Sequence, residues 1–111
     1  MKCVNIAALL YVLFTARAVS GQCQTGQCVT LFSGSGCQGE ITEFIPSCNN
    51  NCIQFNSFNS IFTLGSLIHG TDCEAFSDSN CQNQIVNTGN HIVGTCANAP
   101  GANSYKCFFD C

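Results

Sequence analysis

The stretch FSGSGCQG, from Phe32 to Gly39, is repeated in similar form 44 residues later as FSDSNCQN, from Phe76 to Asn83. A spacing held without insertion through both halves of a chain indicates one supersecondary unit used twice. We therefore expect a first motif at about residues 28–67 and a second at about residues 72–111. Further matches at the same offset are Ile41 with Ile85, Cys52 with Cys96, Asn59 with Asn103 and Ser60 with Ser104.

The first twenty residues have the pattern of a secretory signal peptide. Lys2 precedes an apolar run from Val4 to Phe14, and small residues follow at Ala18-Val19-Ser20 or, one register earlier, at Ala16-Arg17-Ala18. The run is shorter than the roughly 20 residues of a membrane-spanning helix. We expect residues 1–20 to be removed, leaving residues 21–111 as one secreted, extracellular domain.

Charge excludes several classes of partner. After residue 20, Lys106 is the one basic side chain against six acidic ones, a formal balance of −5. Nucleic-acid binding requires several Lys and Arg side chains to replace counterions on phosphates. Attraction to anionic lipid surfaces depends on the same side chains. We expect neither nucleic-acid binding nor membrane insertion.

Cysteines are even in number after residue 20, which in a short exported chain predicts five disulfides. A metal site at Cys48-x3-Cys52 or Cys107-x3-Cys111 is the alternative, and an oxidising compartment favours disulfides over it. The cysteines expected in disulfides are Cys23, Cys28, Cys37, Cys48, Cys52, Cys73, Cys81, Cys96, Cys107 and Cys111.

Short alternating stretches, separated by Gly, Asn and Ser, fill both motifs, and helical periodicity never lasts beyond about two turns. This is typical of an all-β sandwich, here with four short strands from each motif. Phe44, Phe62 and Phe108 lie on strand candidates and are expected in the core. Phe55 and Phe58 lie in a loop-like segment, where we expect satellite packing under the loop or exposure to a partner.

The repeat resembles the βγ-crystallin motif: an aromatic residue, a second aromatic five positions later, a Gly two beyond it and a distant Ser. The resemblance implies two Greek-key motifs forming one disulfide-rich sandwich, with each first hairpin folded over its own sheet. The Phe residues would pack beneath the hairpins, the Ser residues would bond hairpin backbone, and Gly39 and Asn83 would accept left-handed backbone. The motif positions are Phe32, Gly39 and Ser60, repeated as Phe76, Asn83 and Ser104.

The sequence departs from the family at the second aromatic position, which is Cys37 in one motif and Cys81 in the other. We expect a disulfide to hold each hairpin where ring packing does so in the family. Symmetry between the motifs then suggests the pairs Cys37–Cys52 and Cys81–Cys96.

Microbial members of the family often bind calcium through oxygen ligands in the run that ends at the motif serine. The runs here, residues 55–60 and 99–104, have Phe55 in place of the first ligand and almost no side-chain oxygen in the second copy. Calcium requires six to eight oxygens. We expect both calcium sites to be lost, with no cofactor and no metal ligand; a weak site near Asn56 and Glu40 is the alternative.

No constellation of residues predicts catalysis. His69 and His91 are the two side chains that could serve as a base near neutral pH, and they fall in different segments. Glu40 and Glu43 are three apart on a predicted strand, so they face opposite sides of the sheet. Disulfides would remove the thiolates that a cysteine nucleophile needs. We therefore expect no catalytic residue and no enzymatic activity.

The sequence favours a secreted, non-enzymatic interaction protein, acting in the extracellular space or host apoplast on an extracellular protein or a cell-wall carbohydrate. Small cysteine-rich effectors of plant-associated fungi are similar in size, signal and disulfide density. Two alternatives are a killer-toxin-like antimicrobial protein, disfavoured by the negative charge, and a protease inhibitor. Binding would use loops at Asn49–Asn51, Gly65–Asp72 and Ala97–Asn103, the last being the candidate inhibitory loop.

Overall fold

The computed structural model describes residues 26–109, and these residues form strands, turns and bends without a helix. The all-β prediction is therefore confirmed for this part of the chain. The predicted signal peptide lies outside the described residues, as do Cys23 and Cys111. The strands are β1 (Cys28–Phe32), β2 (Glu40–Phe44), β3 (Ile53–Leu64), β4 (Thr71–Phe76), β5 (Gln84–Asn87) and β6 (Thr95–Phe109).

The six strands form one antiparallel sheet in the order β2-β1-β3-β6-β4-β5. Hairpin β1–β2 comes from the first repeat and hairpin β4–β5 from the second, and they occupy the two ends of the sheet. The long strands β3 and β6 pair at the centre. The prediction of eight short strands is wrong for the described residues, because the last two predicted strands of each repeat continue as one long strand.

Each long strand bends at the point where the sequence predicts a break between two short strands. Ser57 in β3 has a φ of 67°, and Gly101, its equivalent 44 residues later in β6, has a φ of 75°. The β3–β6 register shifts at this crossing, between Gln54 and Ser60. A left-handed residue can bend a strand without ending its pairing. As a result, the start of β3, at Ile53, lies beside residues 104–109 of β6, which also pair with β4. The start of β6, at Thr95, likewise lies beside residues 60–64 of β3, which also pair with β1.

The bends curl the sheet back on itself. Phe44 on β2 stacks on Tyr105 of β6, with ring centroids 5.2 Å apart. In a flat sheet, these strands would be separated by three spacings, or roughly 14 Å. The enclosed core draws on both repeats, and its buried members are Val29, Leu31, Phe58, Ile61, Cys73, Ala75, Ala99, Ala102, Tyr105 and Cys107.

Three of the aromatic residues are placed differently from the sequence prediction. Phe62, expected in the core, is half-buried and does not belong to the core cluster. Phe58, expected under a loop, is fully buried in the main core because β3 runs through its position. Phe108, expected in the core, is 36% exposed because it alternates with buried Cys107 and so lies on the outer face of β6. Phe55 packs partly buried against the core, at 6.2 Å from the Phe58 ring.

Candidate functional site

Both hairpins are held down by a serine from their own repeat. The Ser60 hydroxyl donates to the Gly34 carbonyl at 2.6 Å and accepts from the Cys37 amide at 2.9 Å. Ser104 makes the equivalent bonds in the second repeat, to the Asp78 carbonyl at 2.6 Å and from the Cys81 amide at 3.1 Å. Both serines are fully buried, so these bonds also satisfy hydrogen-bonding groups that water cannot reach.

The left-handed backbone of the hairpins lies partly elsewhere than predicted. Gly39 has a φ of 77°, and a Cβ there would come within 2.6 Å of the Ser33 hydroxyl. Asn83, its counterpart, does not have a positive φ, so that expectation is wrong. The strained residues at matching positions are instead Cys37 and Cys81, with φ of 59° and 57°. Asn83 is held by its backbone amide, which donates to the Asp78 carboxylate at 2.8 Å.

Asp78 organises the second hairpin in a way that the first hairpin lacks. Its carboxylate accepts backbone hydrogen bonds from Asn80, Gln82 and Asn83, at 2.8 to 3.1 Å. These bonds, led by the one from Asn83, lower the pKa of Asp78 because they favour its ionised form. The equivalent residue of the first repeat is Gly34. Sequence comparison of the repeats missed this role, although an Asp two residues after the motif aromatic, in a turn, is the available signal.

The disulfides cross between the repeats, and this corrects the predicted pairing. Cys37 bonds Cys96, and Cys52 bonds Cys81, in place of Cys37–Cys52 and Cys81–Cys96. The reason is the pairing of β3 with β6. Because the start of β3 lies against the second repeat, Cys52 reaches the second hairpin, and the start of β6 likewise brings Cys96 to the first.

A third disulfide joins two directly opposed residues of β4 and β6, Cys73 and Cys107, with Cα atoms 4.2 Å apart. Cys28 and Cys48 are disulfide-bonded as well. Every cysteine of residues 26–109 is thus in a disulfide, and several disulfides in a small chain are consistent with an extracellular protein.

Two asparagine side chains add a second set of crossed links. The Asn59 amide group donates to the Ser33 carbonyl at 2.7 Å and accepts from the Gly101 amide at 2.8 Å. Asn103 makes the equivalent bonds with the two repeats exchanged. It donates to the Ser77 carbonyl at 2.8 Å and accepts from the Ser57 amide at 3.2 Å. In the sequence, Asn59 is known only as the repeat partner of Asn103. In the structure, it ties a hairpin of one repeat to the bend of the other.

The cross-linked scaffold presents four exposed apolar side chains on two neighbouring loops. Leu67 is 94% exposed, Ile68 77%, Val93 71% and Ile92 46%. We refer to Leu67, Ile68, Ile92 and Val93 as the apolar tip. A groove of about 620 Å³ runs between the loops and is also lined by Gly26, Leu64 and Gly94. None of the described residues that line it carries a charge.

The two loops of the tip are tied to each other and to themselves. Gly65 donates its amide to the Ile92 carbonyl at 3.0 Å, and Ser66 donates its amide to the His69 carbonyl at 2.8 Å. Thr71 and His91 exchange two backbone hydrogen bonds, at 2.9 and 3.1 Å. A Cβ on Gly65 would lie 2.5 Å from the His69 carbonyl oxygen, so close packing requires glycine there. The exposed side chains therefore project from ordered backbone.

The two histidine rings each contact another residue. The His91 ring nitrogen Nε2 lies 2.6 Å from the Thr88 carbonyl, and the His69 ring packs edge-on against Phe109 at 5.9 Å. Burial raises the pKa of Asp72, and the nearby His91 opposes this shift. Within the described residues, no three His, Cys, Asp or Glu side chains are grouped so that they could hold a metal ion.

The predicted loops are placed as follows. Gly65–Asp72 contains Leu67 and Ile68, the two most exposed residues of the apolar tip, and its last two residues begin β4. Asn49–Asn51 lies in an exposed segment between β2 and β3. Ala97–Asn103 is not a loop, because these residues run within β6. Strong turn signals at Pro100 and Gly101 were misleading, since they mark the bend of a continuous strand.

Comparisons with known proteins found no match among protein-family models, curated proteins or solved structures. Within residues 26–109, no helix is long and apolar enough to cross a membrane.

Proposed function

We propose that this chain is an extracellular, non-enzymatic interaction protein that binds a protein partner through the apolar tip. The observation that carries the proposal is the exposure of four large apolar side chains on two loops fixed by hydrogen bonds. Isolated exposed apolar residues are common, but a contiguous group on ordered backbone is characteristic of a binding surface. Ordering the loops in advance also reduces the entropy lost on binding.

The chemistry of the tip defines the partner surface. Its groove is lined by uncharged residues, so a charged partner surface would lose hydration without gaining an ion pair. Lys106, the one basic side chain of the described residues, lies over the Phe76 ring and beside Glu74 in the β4–β6 pairing, away from the tip. The partner is therefore a protein with an apolar, uncharged patch, and neither nucleic acid nor an anionic lipid surface is its counterpart.

We also infer that the curled sheet is the two-layer sandwich of a βγ-crystallin-like, Greek-key domain. The inference is supported by the repeated serine bonds to both hairpins and by the placement of each long strand's first part against the other repeat. One layer would then hold a hairpin, the second part of its own long strand and the first part of the other. The disulfides fit an effector-like role in the extracellular space or host apoplast.

The two alternative functions have less support. The candidate inhibitory loop Ala97–Asn103 lies in β6, and the exposed loop at Leu67 is closed by the bond between Ser66 and His69. A protease cleft needs an extended segment, which a loop closed over four residues does not offer. A killer-toxin-like role finds no cationic surface in a chain with a balance of −5 after residue 20.

The proposal is tested by capture with the mature protein from host extracellular fluid, followed by purification of the captured protein and calorimetry. The double variant Leu67→Ser/Ile68→Ser should weaken binding on the order of 100-fold or more, since each buried aliphatic side chain contributes about 1.5–3 kcal/mol. Ile41→Ser is the matched control, because Ile41 is an exposed aliphatic residue on β2. Equal affinity of the tip variant and the wild type would refute the proposal.

A further inference from the structure

A second recess lies away from the apolar tip, between the strand-free segment after β2 and the second half of β6. It encloses about 290 Å³, close to the lower end of the range for small-molecule sites. The described residues that line it are all different from those that line the groove of the tip. Whatever it binds, it can therefore be tested separately from the proposed protein partner.

The recess combines apolar walls with uncharged hydrogen-bonding groups. Phe44, Ile45 and Ile53 provide apolar surface, and Asn49 and Asn51 provide amides. The side chains of Asn49 and Asn51 make no hydrogen bond to any residue of 26–109. None of the described lining residues carries a charge at neutral pH. The recess therefore suits a neutral ligand that has both hydroxyl groups and a C–H face.

Tyr105 adds a hydroxyl group to the same recess. It is 8% exposed, and its hydroxyl makes no hydrogen bond to any described residue. Burial raises the pKa of this hydroxyl, which remains a neutral donor and acceptor at physiological pH. The hydroxyl oxygen is not among the buried atoms that lack a partner, so it is accessible and takes water or a ligand as its partner. Because Tyr105 lines the recess, a ligand there can supply that partner.

The segment that carries the asparagines is anchored at several points. Cys48 is disulfide-bonded, and Cys52 bonds Cys81. The Ser47 carbonyl accepts from the Phe109 amide at 3.0 Å, and the Ser47 hydroxyl accepts from the Asn49 amide at 3.2 Å. The backbone of this segment is thus fixed before a ligand binds, which lowers the entropic cost of binding.

We propose that this recess is a subsite for a neutral carbohydrate residue. Sugar hydroxyls would bond the Asn49 and Asn51 amides and the Tyr105 hydroxyl, and the C–H face of the ring would pack on Ile45 and Ile53. Acidic sugars and phosphorylated ligands are disfavoured, because none of the lining residues within 26–109 is a cation that could compensate their charge. The subsite gives the protein a second ligand besides the one proposed for the tip.

The test is a titration of the ¹⁵N-labelled mature protein with neutral hexasaccharides of glucose, mannose and N-acetylglucosamine, and with a hexamer of galacturonic acid. At least one neutral hexamer should shift the amide signals of residues 47–53 and 105, and the uronate should shift none of them. The variant Asn49→Ala/Asn51→Ala should weaken that binding about tenfold or more, as expected for two lost hydrogen bonds. Gln38→Ala is the control for a lost amide, because its side chain is exposed in the β1–β2 turn, at the opposite end of β2 from Phe44.

Tyr105→Phe gives a second measure that leaves the ring packing in place. It should weaken binding severalfold, and the amide spectrum of the free variant should remain that of the folded protein. The proposal is overturned if no neutral hexamer binds at millimolar concentration, if the shifts map to residues 65–70 and 90–94, or if the asparagine and tyrosine variants bind as tightly as the wild type.

Discussion

Removal of the crossed disulfide between Cys37 and Cys96 should destabilise the protein severely. The bond closes a loop of 59 residues, and the loss of chain entropy in the unfolded state corresponds to about 4 kcal/mol. Domains of this size are stable by only about 5–15 kcal/mol, so the variant Cys37→Ala/Cys96→Ala should lose a large fraction of its stability. The expected fall in the melting temperature is roughly 20 °C.

The assay combines urea unfolding with a count of free thiols in denaturant. The crossed pairing predicts that Cys37→Ala/Cys96→Ala has no free thiol, whereas Cys37→Ala/Cys52→Ala exposes two, from Cys96 and Cys81. The pairing within each repeat predicts the opposite result for the two variants. Two thiols in the first variant and none in the second would refute the crossed connectivity, and a loss below about 1 kcal/mol would refute the entropic reasoning.

Further predictions concern single residues, measured by urea unfolding between about pH 2.5 and pH 7. Asp78→Asn should lower stability above about pH 4, and the difference should vanish as pH falls through the lowered pKa of Asp78. Asp72→Asn should raise stability at neutral pH, because burial raises the pKa of Asp72, and this gain should vanish in acid below its ordinary value of 3.8. Ser104→Ala should cost about 1–3 kcal/mol, since it leaves the Asp78 carbonyl and Cys81 amide unpaired. Ser57→Gly should stabilise by up to about 1 kcal/mol by relieving left-handed strain, and a loss would contradict this reasoning.

The sequence was sufficient for the local features of the fold. The octets at Phe32 and Phe76 each form the turn of a hairpin, and the alternation around them predicts the short strands β1, β2, β4 and β5. The distant serines could be assigned a role because the repeat resembles a motif in which such a serine bonds the hairpin, and their offset of 28 residues recurs in both halves. Such features depend on residues that are near in sequence or related by the repeat, and a single chain contains that information.

The features that sequence reasoning missed depend on contacts between the repeats. Nothing local to Cys52 or Cys96 shows that each is carried across to the other hairpin, because this follows from the pairing of β3 with β6. The same pairing turns the segment around Pro100 from a predicted loop into a strand. The exposure of Leu67 and Ile68 was also invisible, since an apolar pair between glycines is equally compatible with a buried position.

The most direct test of the proposed function is hydrogen exchange of the mature protein, free and in complex with its purified partner. Binding through the apolar tip predicts that the amides of residues 65–70 and 90–94 gain protection in the complex. The amides of β2 and β5, at the two ends of the sheet, should exchange as they do in the free protein. Protection confined to other parts of the chain, with unchanged exchange at Leu67, Ile68 and Val93, would contradict the account.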